Sequence, residues 1–138
     1  MQSPNHTAAP PSSVRLLVVD DHGLSRESMR AMLECEPDFV VVDEAKDGQE
    51  AIELCRLHHP DLVVMDVRMP RVNGFEATRK IKEERWATRV LIVSAYDNIG
   101  FVSEATRAGA EGYVLKLAPL REILDAVRGA LRDEPQYS

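Results

Sequence analysis

Four places in this chain carry side chains able to act together on a substrate: the acidic pair Asp20-Asp21, then Asp66, Ser94 and Lys116. Each closes or directly follows a short apolar run: LLVV before the pair, LVVM before Asp66, VLIV before Ser94 and YVL before Lys116. Carboxylates gathered in one crevice repel, so one must hold a proton or a cation must join them. Lys116 supplies a single positive charge, too little for Asp20, Asp21 and Asp66 together. Hard oxygen donors on a small site suit Mg2+, which keeps several waters and accepts one or two carboxylates plus phosphate oxygens. A carboxylate in that setting can attack phosphorus in line. The cation and Lys116 would neutralise the transferring oxygens, and Ser94 would donate a hydrogen bond to one of them.

These residues meet only if the apolar runs are neighbouring strands. The chain alternates strand patterns at 14–20, 39–45, 62–66, 90–94 and 112–115 with helical patterns at 24–36, 47–58, 73–84, 99–108 and 119–131. In the first helix Leu24, Met29, Met32 and Leu33 make the apolar face and Pro37 provides the stop. Asp47 with Glu50, and Asn73 with Glu76, form capping boxes. Gly109 ends the fourth helix and Pro119 opens the fifth. Strands this apolar, without alternation, need cover on both faces. The pattern therefore predicts an α/β fold with a doubly wound parallel sheet. For strand order 2-1-3-4-5 the ligand crevice lies where the order reverses, between strands one and three. Strand two, at the edge, ends in Ala45-Lys46 and carries no comparable side chain.

The chain has 138 residues, 44% hydrophobic and 29% charged, enough for one domain with one core. No apolar run approaches the roughly 18 residues that span a membrane, and the N-terminal residues lack a signal-peptide pattern. Cys35 and Cys55 stand without CxxC spacing and are read as buried packing residues of a cytoplasmic protein. The formal net charge of −6 argues against a grip on nucleic acid by these residues themselves. Residues 1–13 read as a disordered leader, 14–132 as the folded domain and 133–138 as a polar tail or the start of a linker.

In kind, order and position at strand ends, Asp20-Asp21, Asp66, Ser94 and Lys116 resemble the receiver domain of two-component response regulators. The likeness covers residues 14–131. It is carried most specifically by VVMDVRMPRVNGFEATRKIK around Asp66 and by GYVLK at 112–116. The arginine of DVRMP and the segment LVVDDHGLSRESM resemble the NarL/FixJ class. The resemblance implies a flavodoxin-like (βα)5 fold and a signalling domain, not a turnover enzyme. Asp66 would accept a phosphoryl group from a sensor histidine kinase. Asp20, Asp21, Asp66 and the backbone carbonyl of Arg68 would hold Mg2+. Lys116 would pair with the phosphoryl group, with Ser94 as switch hydroxyl and Tyr113 as switch aromatic. Phosphorylation would favour a homodimer, and the domain would assist its own dephosphorylation. DNA would be met only through a C-terminal helix-turn-helix domain outside these residues, and transcription regulation would be the output.

Departures from the family pattern are few. Leu117 follows Lys116 where the family often has proline, which argues for a trans bond there. Tyr96 and Arg68 occupy variable positions that screen the phosphate or set its lifetime. A phosphatase of the haloacid dehalogenase class also forms an aspartyl phosphate, but it needs a second Asp where Arg68 stands. A pseudo-receiver would lack some of the acidic, hydroxyl and lysine positions, and here all are filled. Other residues have plainer readings. His22 is a loop residue, His58-His59 complement a helix C-terminus, and Trp86 is a surface residue. The apolar excess of the last helix (Leu120, Ile123, Leu124, Val127, Leu131) offers a dimer face with the first or fourth helix, and the class resemblance favours helices one and five.

Overall fold

In a strand, successive side chains point to opposite faces, so an unbroken apolar run must be covered on both. The computed structural model describes residues 13–67, 69, 72–84, 87–96, 98–132 and 136–137. Its elements run β1 (Val14–Val19), α1 (Gly23–Leu33), β2 (Phe39–Ala45), α2 (Gly48–His58), β3 (Leu62–Met65), α3 (Gly74–Glu84), β4 (Arg89–Ser94), α4 (Ile99–Ala108), β5 (Gly112–Leu115), α5 (Leu120–Leu131) and β6 (Gln136–Tyr137). The sheet is parallel, in the order β2-β1-β3-β4-β5-β6. Its first five strands have the expected order 2-1-3-4-5.

Alternate residues of the same strands feed two separate cores. Leu17, Val19, Val63, Met65, Val90 and Ile92 pack with α2, α3 and α4. Leu16, Val18, Leu62, Val64, Leu91 and Val93 pack with α1 and α5. Right-handed crossovers set α1 apart from α2, α3 and α4: the step from β1 to β2 runs one way along the sheet, and the steps from β2 through β5 run the other. Ile123, Leu124 and Val127 of α5 are at most 1% exposed. Burying each such side chain contributes about 1.5–3 kcal/mol. These residues therefore serve the core and not a dimer face; Leu120, at 39% exposure, is the large apolar side chain of α5 that remains outside.

Local chemistry sets the helix ends. Asn73 and Glu76 exchange side-chain to backbone hydrogen bonds at the start of α3. At α2 the Glu50 amide donates to Asp47 Oδ1, but Glu50 reaches back to the Lys46 amide, one residue earlier than a standard capping box. Asn98 caps α4, and Gly109 ends it at φ 97°. Helix α1 stops at Leu33, short of Pro37, and Leu24 is 81% exposed, so the apolar face begins at Met29.

Several sequence readings need correction. Cys55 is buried, but Cys35 is exposed. His58 does not serve the helix end: its Nε2 lies 2.8 Å from Asp43 Oδ2 on β2, while His59 takes the left-handed C-cap position at φ 48°. The tail is not wholly without structure, since Gln136 and Tyr137 pair in parallel with Gly112 and Tyr113. A two-residue strand has no periodicity to read; it forms because the edge of β5 offers unpaired backbone groups. The expected leader apart from Ser13, the metal-site carbonyl of Arg68, the surface reading of Trp86, and residues 133–135 and 138 lie outside the described residues.

Two helix starts press against backbone. A Cβ built on Gly74 would lie 2.0 Å from the carbonyl oxygen of Asp66, and one on Gly48 would lie 2.2 Å from that of Val72. Gly74→Ala is therefore expected to lower stability by about 1–3 kcal/mol through forced backbone displacement. Urea unfolding measures this, and an unchanged midpoint would contradict it.

Candidate functional site

The register of the sheet assembles the site. β1 and β3 are neighbours, with Val19 beside Met65, so the next residues, Asp20 and Asp66, emerge together at the carboxyl edge. The backbone stays tied there: the Asp66 amide donates to the Val19 carbonyl at 3.0 Å, and the Asp20 amide to the Ala45 carbonyl at 3.0 Å. Ser94 ends β4 and pairs in register with Leu115. The Lys116 amide then donates to the Ser94 carbonyl at 2.8 Å, which brings Lys116 to the same edge.

Lys116 Nζ lies 2.8 Å from Asp20 Oδ2 and 3.4 Å from Asp66 Oδ2. It bridges the two carboxylates and sits closer to the first. Asp20 is further held by the His22 amide at Oδ1 (2.9 Å) and the Ser25 hydroxyl at Oδ2 (2.5 Å). Arg26 Nη1 donates to the Asp20 carbonyl at 2.7 Å while its Nε donates to Glu44 at 3.0 Å. Asp66 has less support, one bond from the Val67 amide at 2.9 Å. These differences push the two groups apart electrostatically. Burial drives the Asp66 carboxyl up, and the nearby Asp20 charge adds to this against the pull of Lys116, so its pKa stands above the ordinary 3.8. Burial also acts to raise Asp20, but bonds from Lys116, Ser25 and the His22 amide outweigh it, and its pKa falls below 3.8. Lys116 is raised, since its carboxylate partners outweigh its burial.

Asp21 points to a different task. Its Oδ1 is buried and has no hydrogen-bond partner among the described residues; His22 Nδ1 comes within 3.0 Å without the alignment of a hydrogen bond. Asp20, Asp21 and His22 offer ligand atoms within 4.8 Å of one another. A buried, unbonded carboxylate oxygen next to the Asp20 carboxylate is a donor set that fits a hard divalent cation. A groove of about 540 Å³ adjoins Asp21, walled by Val67, Met69, Asn73, Phe75 and Phe101.

Ser94 is fully buried, and its Oγ accepts from the Tyr96 amide at 3.0 Å. Tyr113 is buried too, its hydroxyl donating to the Tyr96 carbonyl at 2.5 Å. The Tyr96 ring meets Phe101 edge-on at 5.7 Å, and Phe101 meets Phe75 at 5.8 Å. The structure thus joins Asp20, Asp66 and Lys116 by direct contact, sets Asp21 at the mouth, and ties Ser94 and Tyr113 to one another through the backbone of Tyr96. The peptide bond after Lys116 is trans. Sequence reading missed Ser25 and Arg26 as supports of Asp20. They sit five and six residues beyond it on α1, a spacing that places them over the strand end, but their residue types are common on solvated helix faces.

This arrangement has close counterparts. Residues 16–128 match the family model described as the response regulator receiver domain. This chain belongs to the response regulator receiver family. The transcriptional regulatory protein DegU of Brevibacillus brevis is 37% identical over 117 residues, 85% of this chain and 50% of that protein. The probable transcriptional regulatory protein NarL of Mycobacterium tuberculosis is 39% identical, covering 85% of this chain and 54% of its own length. The chain spans about half the length of these relatives. Among solved structures, the receiver domain of the M. tuberculosis NarL regulator superposes with a TM-score of 0.84 at 38% identity, over 88% of this chain and 98% of that one. A LuxR-family response regulator from an Aurantimonas species gives 0.87 at 38% identity, over 92% and 90%. The receiver domain described here is thus of the NarL type within the LuxR-family regulators, and receivers of this family are signalling domains.

The charge balance of the receiver cluster is open to direct measurement. With Mg2+ withheld, carboxyl-carbon NMR is expected to place the Asp66 titration above 3.8 and that of Asp20 below it. Lys116→Met should move both upward, because Lys116 stabilises both anions. The linkage has opposite signs. As pH falls toward the raised Asp66 value, protonation relieves repulsion and favours the folded state. As it falls on through the lowered Asp20 value, the stability from that ion pair is lost. A reversed order of the two carboxyls would refute the arrangement.

Proposed function

We propose that this chain is a phosphoacceptor receiver that takes a phosphoryl group onto Asp66 from a phosphohistidine of a sensor kinase and, once modified, switches an output. The observation that carries the reading is the asymmetry of the carboxylates around Lys116. Asp20 is held by three donors, Asp21 Oδ1 has none among the described residues, and Asp66 keeps one oxygen within 3.4 Å of a lysine that is already pulled toward Asp20. A nucleophile needs such a loosely held carboxylate, with a cationic side chain close enough to follow the incoming oxygens.

In the proposed transfer an Asp66 oxygen attacks phosphorus, the P–N bond to the donor imidazole breaks, and the leaving nitrogen keeps the electron pair and is protonated from water. Lys116 turns from Asp20 toward the new phosphoryl group. Ser94, whose Oγ already accepts from the Tyr96 amide, retains its own proton to donate to a phosphoryl oxygen. Because Tyr113 and Ser94 share Tyr96, a shift of Ser94 toward the phosphoryl group changes what holds Tyr113 and thereby the α4–β5–α5 side. Asp20, Asp21 and Asp66, with the backbone carbonyl of Arg68, would hold Mg2+, which when bound supplies positive charge beside the transferring oxygens. Hydrolysis of the same acyl phosphate at this site would reset the switch.

The lengths and names of the relatives support an output in transcription, delivered by a DNA-binding domain outside these residues. Among the described residues no helix is long and apolar enough to cross a membrane, which fits a cytoplasmic relay. A homodimer formed on phosphorylation is part of the proposal; the exposed apolar side chains on its candidate helices α1 and α5 are Leu24 and Leu120.

Incubation with Mg2+ and acetyl phosphate should add one phosphoryl group per chain, read by intact mass. Asp66→Asn should abolish the gain, and Lys116→Met should slow it by about 10²-fold or more, the scale of losing one charge-stabilising group. A gain that survives Asp66→Asn would refute Asp66 as acceptor.

A further inference from the structure

The geometry points to Ser25 as a positioning residue that orients Asp20 for the cation. This deepens the proposed function and rests on the same reading of the site. The Ser25 hydroxyl donates to Asp20 Oδ2 at 2.5 Å, and Lys116 Nζ lies 2.8 Å from that same oxygen. Between them they occupy the lone pairs of Oδ2. Asp20 Oδ1 receives only the His22 amide, at 2.9 Å, and so keeps an open lone pair. That oxygen lies near Asp21. Asp20 Oδ1 and Asp21 Oδ1 lie 3.7 and 3.0 Å from one atom, His22 Nδ1, the three residues offer ligand atoms within 4.8 Å of one another, and Asp21 Oδ1 is the buried oxygen without a hydrogen bond among the described residues. Ser25 and Lys116 therefore pin one side of the Asp20 carboxylate so that its other side turns toward Asp21.

The two latches are not equivalent. Lys116 also reaches toward Asp66, at 3.4 Å, and is free to leave Asp20 when that carboxylate gains charge. Among the described residues Ser25 bonds in the site to Asp20 alone, so nothing there draws it away. Arg26, beside it, fixes the Asp20 backbone through the carbonyl and is itself anchored on Glu44. α1 thus supplies one hold on the main chain and one on the side chain of a single aspartate. Groups that orient a metal-binding carboxylate typically change affinity by about 10- to 100-fold when removed.

The test is calorimetric titration of Mg2+ into the chain and its variants, with melting in chelator as the structural control. Ser25→Ala is expected to bind Mg2+ about tenfold more weakly, at the low end of that range, because Lys116 and His22 remain. Ser25→Thr, which keeps the hydroxyl, should restore the affinity, and Ser28→Ala on the exposed face of α1 should leave it unchanged. If Ser25→Ala also melts earlier in chelator, the Ser25→Thr rescue decides the matter. An unchanged Mg2+ affinity in Ser25→Ala, or equal weakening in Ser25→Thr, overturns the proposal. Absence of Mg2+ binding in the parent chain overturns it too, whereas phosphoryl gain at Asp66 is judged separately by intact mass.

Discussion

Three carboxylates at the ends of two adjacent strands repel, and the structure is organised around holding them together with one lysine. Asp20 and Asp66 are 3% and 8% exposed, so water does little to screen them. At separations of a few ångströms in a partly buried setting such repulsion amounts to several kcal/mol. The fold meets it unevenly. Lys116, Ser25 and the His22 amide concentrate on Asp20, leaving Asp66 with a raised pKa and Asp21 with a bare oxygen. The strain of the cluster is thus localised on the residues proposed to react and to bind the cation.

The scaffold that bears this load is rigid for an ordinary reason: both faces of the sheet are covered. Each strand gives alternate residues to a core under α2, α3 and α4 and to another under α1 and α5. Close approaches stiffen the loops above it. Gly74 lets α3 start against the Asp66 carbonyl, and Gly48 lets α2 start against Val72. Buried polar ties serve the far end: Lys82 of α3 donates to the Thr88 carbonyl and to Glu111, whose other oxygen accepts from the Val90 amide. The contrast with the site is instructive, since at the far end a buried lysine meets a carboxylate directly at 2.7 Å.

The proposed readout rests on a different set of contacts. Ser94 and Tyr113 lie on neighbouring strands and both bind the backbone of Tyr96, whose ring continues into Phe101 and Phe75. This chain of contacts runs from the end of β4 to α4 and back to the start of α3.

The sequence alone determined the order of the five βα units and of their strands, and it singled out the polar residues that the fold gathers at one edge. Unbroken apolar runs demand a two-sided sheet, capping boxes and Gly109 mark helix ends, and a polar residue at a strand end has one direction in which to point. It did not determine which apolar residues face outward: Leu24 and Cys35 are exposed while Ile123, Leu124 and Val127 are buried. It also concealed the pairing of His58 with Asp43 and the short β6. Above all, tertiary structure alone decided how the carboxylates differ. Asp20, Asp21 and Asp66 are the same residue type, and only the donors that α1 and Lys116 bring across space make one of them firmly held, one bare and one loosely held.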